Sequence, residues 1–128
     1  GPLLDRIDLK IETTALEFKE LNSKKTGESS SKLKKRVNAA RGLQKKRFEN
    51  IAGVYCNSQM SSKLVGQICI VDKHCSRMLE LSTERLGLSA RAYHRTLKMA
   101  RTIADLDHSE AIRQPHVAEA IQLCRLSV

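Results

Sequence analysis

Three sets of basic residues are the side chains of this sequence whose types and spacing suit chemistry. Arg6 stands at the foot of an alternating stretch, "GPLLDRIDLKIE", residues 1–12. Its guanidinium is a planar, permanently charged fork. Such a fork suits the charge that develops on a phosphoryl group in transfer. The plainer alternative is a salt bridge with Asp5 or Asp8. Arg91 comes two residues after Ser89, in the first turn of a helix-like stretch. A cation there opposes the positive end of the helix dipole. A phosphate bound nearby would resolve the conflict, and a solvated side chain is the alternative. Arg95 and Lys98 follow on the same helical face.

The third set is a basic run. Lys24 and Lys25 are followed by Lys32, Lys34, Lys35, Arg36, Arg41, Lys45, Lys46 and Arg47, with Glu28 the only acid among them. The chain carries a formal charge of +9, and nearly the whole excess sits here. A polyanionic partner, nucleic acid above all, fits that density; a solvated helix face is the alternative. Aromatic residues are only 3%, too few for a base-stacking platform, so contact would go to phosphates and would be salt-sensitive.

No recognisable catalytic engine accompanies these cations. The sequence contains no G-x-x-x-x-G-K-[ST], no G-x-G-x-x-G and no H-E-x-x-H. Cys56, Cys69, Cys75 and Cys124 show no C-x-x-C spacing, so reduced, partly buried thiols are expected. A zinc site built on His74, Cys75 and distant ligands has little signal. His94, His108 and His116 have no metal spacing and are expected on the surface or at an interface, so no metal ligand is assigned.

The elements that must position these groups follow from periodicity. Ile7, Leu9 and Ile11 alternate with Asp8, Lys10 and Glu12, which is a strand with one buried face. A lone strand is unstable in water, and no convincing partner follows, so it reads as the severed edge of a larger sheet. Residues 22–32 form a polar linker whose Ser30 or Ser31 caps the next helix. Leu33, Val37, Ala40, Gln44, Phe48 and Ile51 then make one stripe on a helix of about 20 residues. Residues 52–61 read as a loop, and 62–69 as a short helix interrupted by Gly66. Asp72 caps a helix that runs to a left-handed stop at Gly87. Ser89 caps a long helix over 90–106, with Ala90, Tyr93, Leu97, Ala100 and Ala104 on one side. Ile112 plugs the core from the next loop, and Pro115 opens a last helix with Val117, Ala120, Ile121 and Cys124 buried. At 128 residues, 41% hydrophobic and almost without aromatics, the chain suits one modest helical core rather than a sandwich or barrel. No apolar run approaches the roughly 20 residues that cross a bilayer.

Several stretches carry a resemblance: "GPLLDRIDLKIE", "GESSSKLKKRV", "NSQM" and "LGLSARAYHRTLKMARTIADLDHSEAIRQPHVAEAIQ". They are similar to the C-terminal part of the magnesium-chelatase-like AAA+ ATPases, in the branch typified by ComM and YifB. The resemblance spans nearly all of the chain. It implies a mainly α fold: a four- to five-helix AAA+ lid bundle over 31–128, preceded by an orphan strand and mobile linker over 1–30, the tail of the ATPase core. It makes Arg6 the arginine finger, acting on a neighbouring subunit, and Arg91 the sensor 2 arginine at the γ-phosphate. It implies ATP and Mg2+ as cofactors of a longer protein whose Walker motifs lie upstream. It also implies a cytoplasmic ring, a hexamer, whose substrate is DNA, with the true porphyrin-metallating chelatases or a stand-alone nucleic-acid-binding module as alternatives. Lys10, Ser58, Thr96, Met99 and the lysines at 32, 34 and 35 depart from the family's usual residues, and Arg6 and Arg91 are not among the departures.

Overall fold

The computed structural model describes residues 29–125; Arg6, the strand at 7–12 and most of the linker lie outside the described residues. Among the described residues the fold is a bundle of five α-helices with one turn of 3-10 helix: α1 (Ser30–Arg47), the 3-10 turn (Asn57–Gln59), α2 (Ser62–Ile68), α3 (Lys73–Leu86), α4 (Ala90–Leu106) and α5 (Gln114–Arg125). The mainly helical class expected from composition is what the described residues adopt.

Four of the five helices, α1 to α4, start where a short oxygen-bearing side chain takes an orphan amide. Asp72 accepts from the Cys75 N–H at 2.8 Å, and Ser89 from the Ala92 N–H at 3.2 Å. For α1 the cap is Ser29 and not Ser30 or Ser31; its hydroxyl accepts from the Lys32 N–H at 3.3 Å. In a run of serines the earliest one that reaches an amide three residues on wins, because it adds helical residues at no loss of capping. Gly66 does not interrupt α2, which continues through it to Ile68. A glycine weakens a helix by roughly 1 kcal/mol without breaking it. Residues 52–61 are not all loop, since Asn57–Gln59 forms the 3-10 turn. Pro115 is the second residue of α5, still in the turn whose amides lack intrahelical partners.

The helices also stop for local reasons. Gly87 ends α3 at φ +61, the left-handed conformation that costs an L-residue most. The Leu88 N–H then reaches back to the Thr83 carbonyl. α4 ends in a Schellman turn: His108 stands at φ 54, and the His108 and Ser109 amides bond the Asp105 and Ala104 carbonyls.

The core gathers one face of every helix. Phe48, Val65, Cys75, Leu79, Leu97, Ile112 and Val117 are buried, with Ala100, Ala104 and Ala120 between them. The alanines let α4 and α5 lie close together, and theirs is the principal helix–helix contact. The α1 stripe is buried only in its second half. Ala40, Gln44 and Phe48 are inside, whereas Leu33 and Val37 are more than 40% exposed. Among the described residues the first two turns of α1 bury no apolar side chain.

Candidate functional site

A groove of about 520 Å³ opens between the start of α4 and the stretch that joins the 3-10 turn to α2. The α4 wall carries Arg91, His94, Arg95 and Lys98, and the opposite wall carries Ser58, Ser61 and Ser62. No carboxylate lines it among the described residues. Residues seven apart fall nearly in line on a helix, and the fourth lies about 40° off. That is why α4 delivers Arg91, Arg95 and Lys98 to one side. The capped N-terminus of α4 adds its partial positive charge at the Arg91 end. Arg91 is exposed, while Arg95 and Lys98 are half-buried. Lys98 is held from the other wall, its Nζ donating to the Ser58 carbonyl at 3.2 Å.

Behind the groove lies a buried polar network. Asp105, on α4, is its hub and is fully buried. Arg47 grips it with two hydrogen bonds of 2.8 and 2.6 Å, Asn57 donates to it at 2.9 Å, and Arg101 donates from one turn earlier at 3.2 Å. Burial works against the charged carboxylate. The hydrogen bonds from Arg47 and Asn57, with the charges of Arg47 and Arg101, outweigh it and hold Asp105 below the usual carboxylate range. Asn57 is the cross-link. Its backbone N–H donates to Gln44 Oε1 on α1, its side-chain Nδ2 donates to Thr102 and Asp105 on α4, and its side-chain Oδ1 accepts from Arg47. The residue after it, Ser58, is the one that lines the groove. Arg101 also donates to the carbonyls of Ser109 and Glu110, fastening the connection between α4 and α5.

The basic helix divides by face. Lys32, Lys34, Lys35, Arg36, Arg41, Lys45 and Lys46 are exposed along α1. At about 100° per residue, Lys34, Arg41 and Lys45 form one row and Lys35 and Lys46 another. Arg47 leaves this surface, because its guanidinium is turned onto Asp105. Arg36 also lines a second groove of about 370 Å³ with Asp107, Arg113 and Glu119.

His116, expected on the surface or at an interface, is buried within the bundle. Its Nδ1 accepts from the Arg113 N–H at 3.0 Å, so Nε2 carries the proton and donates to Asp107 at 2.9 Å. Standing third in α5, His116 serves the helix start in the way a capping-box glutamate does. Among the described residues no three His, Cys, Asp or Glu side chains gather as a metal would require.

Comparison with known proteins places the chain. Residues 27–124 match the family described as magnesium chelatase, subunit ChlI C-terminal. The chain belongs to the magnesium chelatase ChlI C-terminal family. It is 41% identical over 122 residues to competence protein ComM of Haemophilus influenzae, and 42% identical over 123 residues to YifB of Escherichia coli. Each match takes in 94% of this chain and 23% of the relative, so the chain spans about a quarter of the length of these curated relatives. A Mycobacterium bovis protein is 33% identical over 106 residues, covering 83% of this chain and 21% of its own length. The span matched by the magnesium chelatase ChlI C-terminal family includes the groove, the Asp105 hub and the basic helix, and it excludes Arg6.

Periodicity gave no hint of the Asp105 hub or of Asn57 in this member of the magnesium chelatase ChlI C-terminal family. One signal was present in the sequence: Arg101 and Asp105 are four apart on a helix, an ion-pair spacing that abuts the apolar stripe of Leu97, Ala100 and Ala104.

Proposed function

We propose that the chain is the lid and sensor 2 module of an ATP-hydrolysing AAA+ ring protein of the ComM type, working in the cytoplasm. The observation that carries this reading is the groove at the start of α4 that Arg91, Arg95 and Lys98 line together, with no carboxylate among its described lining residues. A basin of fixed cations at a helix N-terminus suits the γ-phosphate of ATP. In this reading Arg91 contacts that phosphate and couples the lid to nucleotide state. Arg6 is the finger reaching the site of a neighbouring subunit in a ring, a hexamer. The described residues offer cations for phosphates and no cluster of oxygen ligands, so Mg2+ would be held by groups outside them together with the nucleotide.

The test is ATP turnover by the full-length protein. Arg6→Ala is expected to lower it by about 10³ or more, the scale of a lost arginine finger. Arg91→Ala is expected to abolish it with the helical fold unchanged by circular dichroism. Near-normal turnover in both variants would overturn the assignment.

A second activity is supported by the two rows of cations on α1. They suit the phosphates of DNA without reading its sequence. Fluorescence anisotropy with single-stranded and forked DNA is expected to show binding that weakens steeply between about 50 and 200 mM salt. No binding at the lower salt would leave α1 a solvated face.

A further inference from the structure

We propose that Lys98 is a second phosphate-binding cation and that the groove takes a nucleotide's polyphosphate chain rather than a single phosphate. This rests on the ATPase reading and adds to it a residue and a ligand length.

The argument starts from reach. Arg91 and Lys98 are seven positions apart on α4, about 10.5 Å along its axis. They nonetheless line one groove, with Arg95 between them. A lone phosphate seated at Arg91 leaves Lys98 without an anion, whereas a linear chain of phosphates runs from one to the other. The charges agree: Arg91 and Lys98 bring positive charge to the two ends of such a chain, and no carboxylate is among the described lining residues.

Lys98 is also set for this use. Its ammonium has three N–H donors. The Ser58 carbonyl takes one at 3.2 Å, which holds the head at the groove and leaves two for a ligand. The wall that holds it is firm, because Asn57, the residue before Ser58, is buried and hydrogen-bonded to α1 and α4 at once. The chain's partner is therefore a linear polyphosphate carried by a nucleotide, met by Arg91 at one end and Lys98 at the other.

Isothermal titration calorimetry of the 128-residue chain tests this, with sodium tripolyphosphate as the probe and orthophosphate and a single-stranded oligonucleotide at equal ionic strength as comparisons. Tripolyphosphate is expected to bind at least about tenfold more tightly than orthophosphate. Lys98→Gln and Arg91→Ala should each weaken it about tenfold, the scale of one charge-assisted hydrogen bond. Lys98→Arg should recover most of the affinity, and Lys73→Gln, a charge removed at the exposed start of α3, should change nothing. Lys98 is half-exposed, and the thermal midpoint of Lys98→Gln checks that its fold is kept. The proposal is overturned by the absence of binding, by unchanged affinity in Lys98→Gln, by orthophosphate binding as tightly, or by an oligonucleotide that shows the same dependence on Lys98. The two readings fail separately. ATP turnover that needs Arg91, beside tripolyphosphate binding that ignores Lys98, removes Lys98 alone. Lys98-dependent binding by a protein whose full-length form lacks turnover removes the ATPase and keeps the groove.

Discussion

Asp105 shows how a single carboxylate can hold three elements. It is buried between two guanidinium groups and an amide, from α1, the 3-10 turn and its own helix. Such a group stabilises only while every partner is in place. Asp105→Ala leaves Arg101, itself almost fully buried, and Arg47 facing each other without the anion. The loss should be about 3–5 kcal/mol, read by urea unfolding. The same residue sets an acid limit. The folded pKa of Asp105 lies below its unfolded value of about 3.9, so its stabilisation is complete above about pH 4 and is lost as pH falls through the folded value. Asp72 adds in the same direction, because the Cys75 amide it accepts from favours its charged form. Unfolding midpoints should hold level between about pH 5 and 7 and drop below about pH 4, with a shallower drop in Asp105→Ala.

At the scale of elements, α4 bears both the groove and the hub, so its ends matter most. Ser89 fixes where the helix begins and hence which turn holds Arg91. Ser89→Ala should cost about 1 kcal/mol and should weaken tripolyphosphate binding more than Ser29→Ala, which uncaps α1 and does not line the groove. At Gly87 nothing lies within 4 Å of where a Cβ would stand. The left-handed backbone at φ +61 is the only obstacle there. Gly87→Ala should therefore cost about 1–2 kcal/mol, measurable as a lowered thermal midpoint, without local repacking. The basic helix behaves differently along its length. Its second half is anchored by Ala40, Gln44, Arg47 and Phe48, and its first half shows Leu33 and Val37 to solvent.

At the scale of the whole molecule, the exposed cations of α1 and the groove stand apart from the thiols, three of which, Cys69, Cys75 and Cys124, lie inside. Burial pushes Cys69 up to about 11, and burial with the neighbouring Asp72 pushes Cys75 up to about 11. Both stay protonated and shielded at neutral pH. In the native protein Cys56 should react with a thiol reagent long before Cys69, Cys75 and Cys124, and all four should react together in denaturant.

The helices, most of their caps and the Gly87 stop were legible in the sequence, because each depends on residues within a few positions of one another. Asp72, Ser89 and the stripe of Leu97, Ala100 and Ala104 are local facts of that kind. The alignment of Arg91, Arg95 and Lys98 was legible for the same reason: helix geometry alone puts them on one side. Three further facts depend on neighbours distant in sequence, where no local pattern reports. The 3-10 turn supplies the second wall of the groove. Arg47, one cation in a run of look-alikes, turns inward because Asp105, 58 positions away, waits there. His116 is buried because α5 folds its first turn against Asp107 and Arg113. Spacing along the chain determined which residues share a face, and only the packing of helices decided which faces meet and which charges are taken out of water.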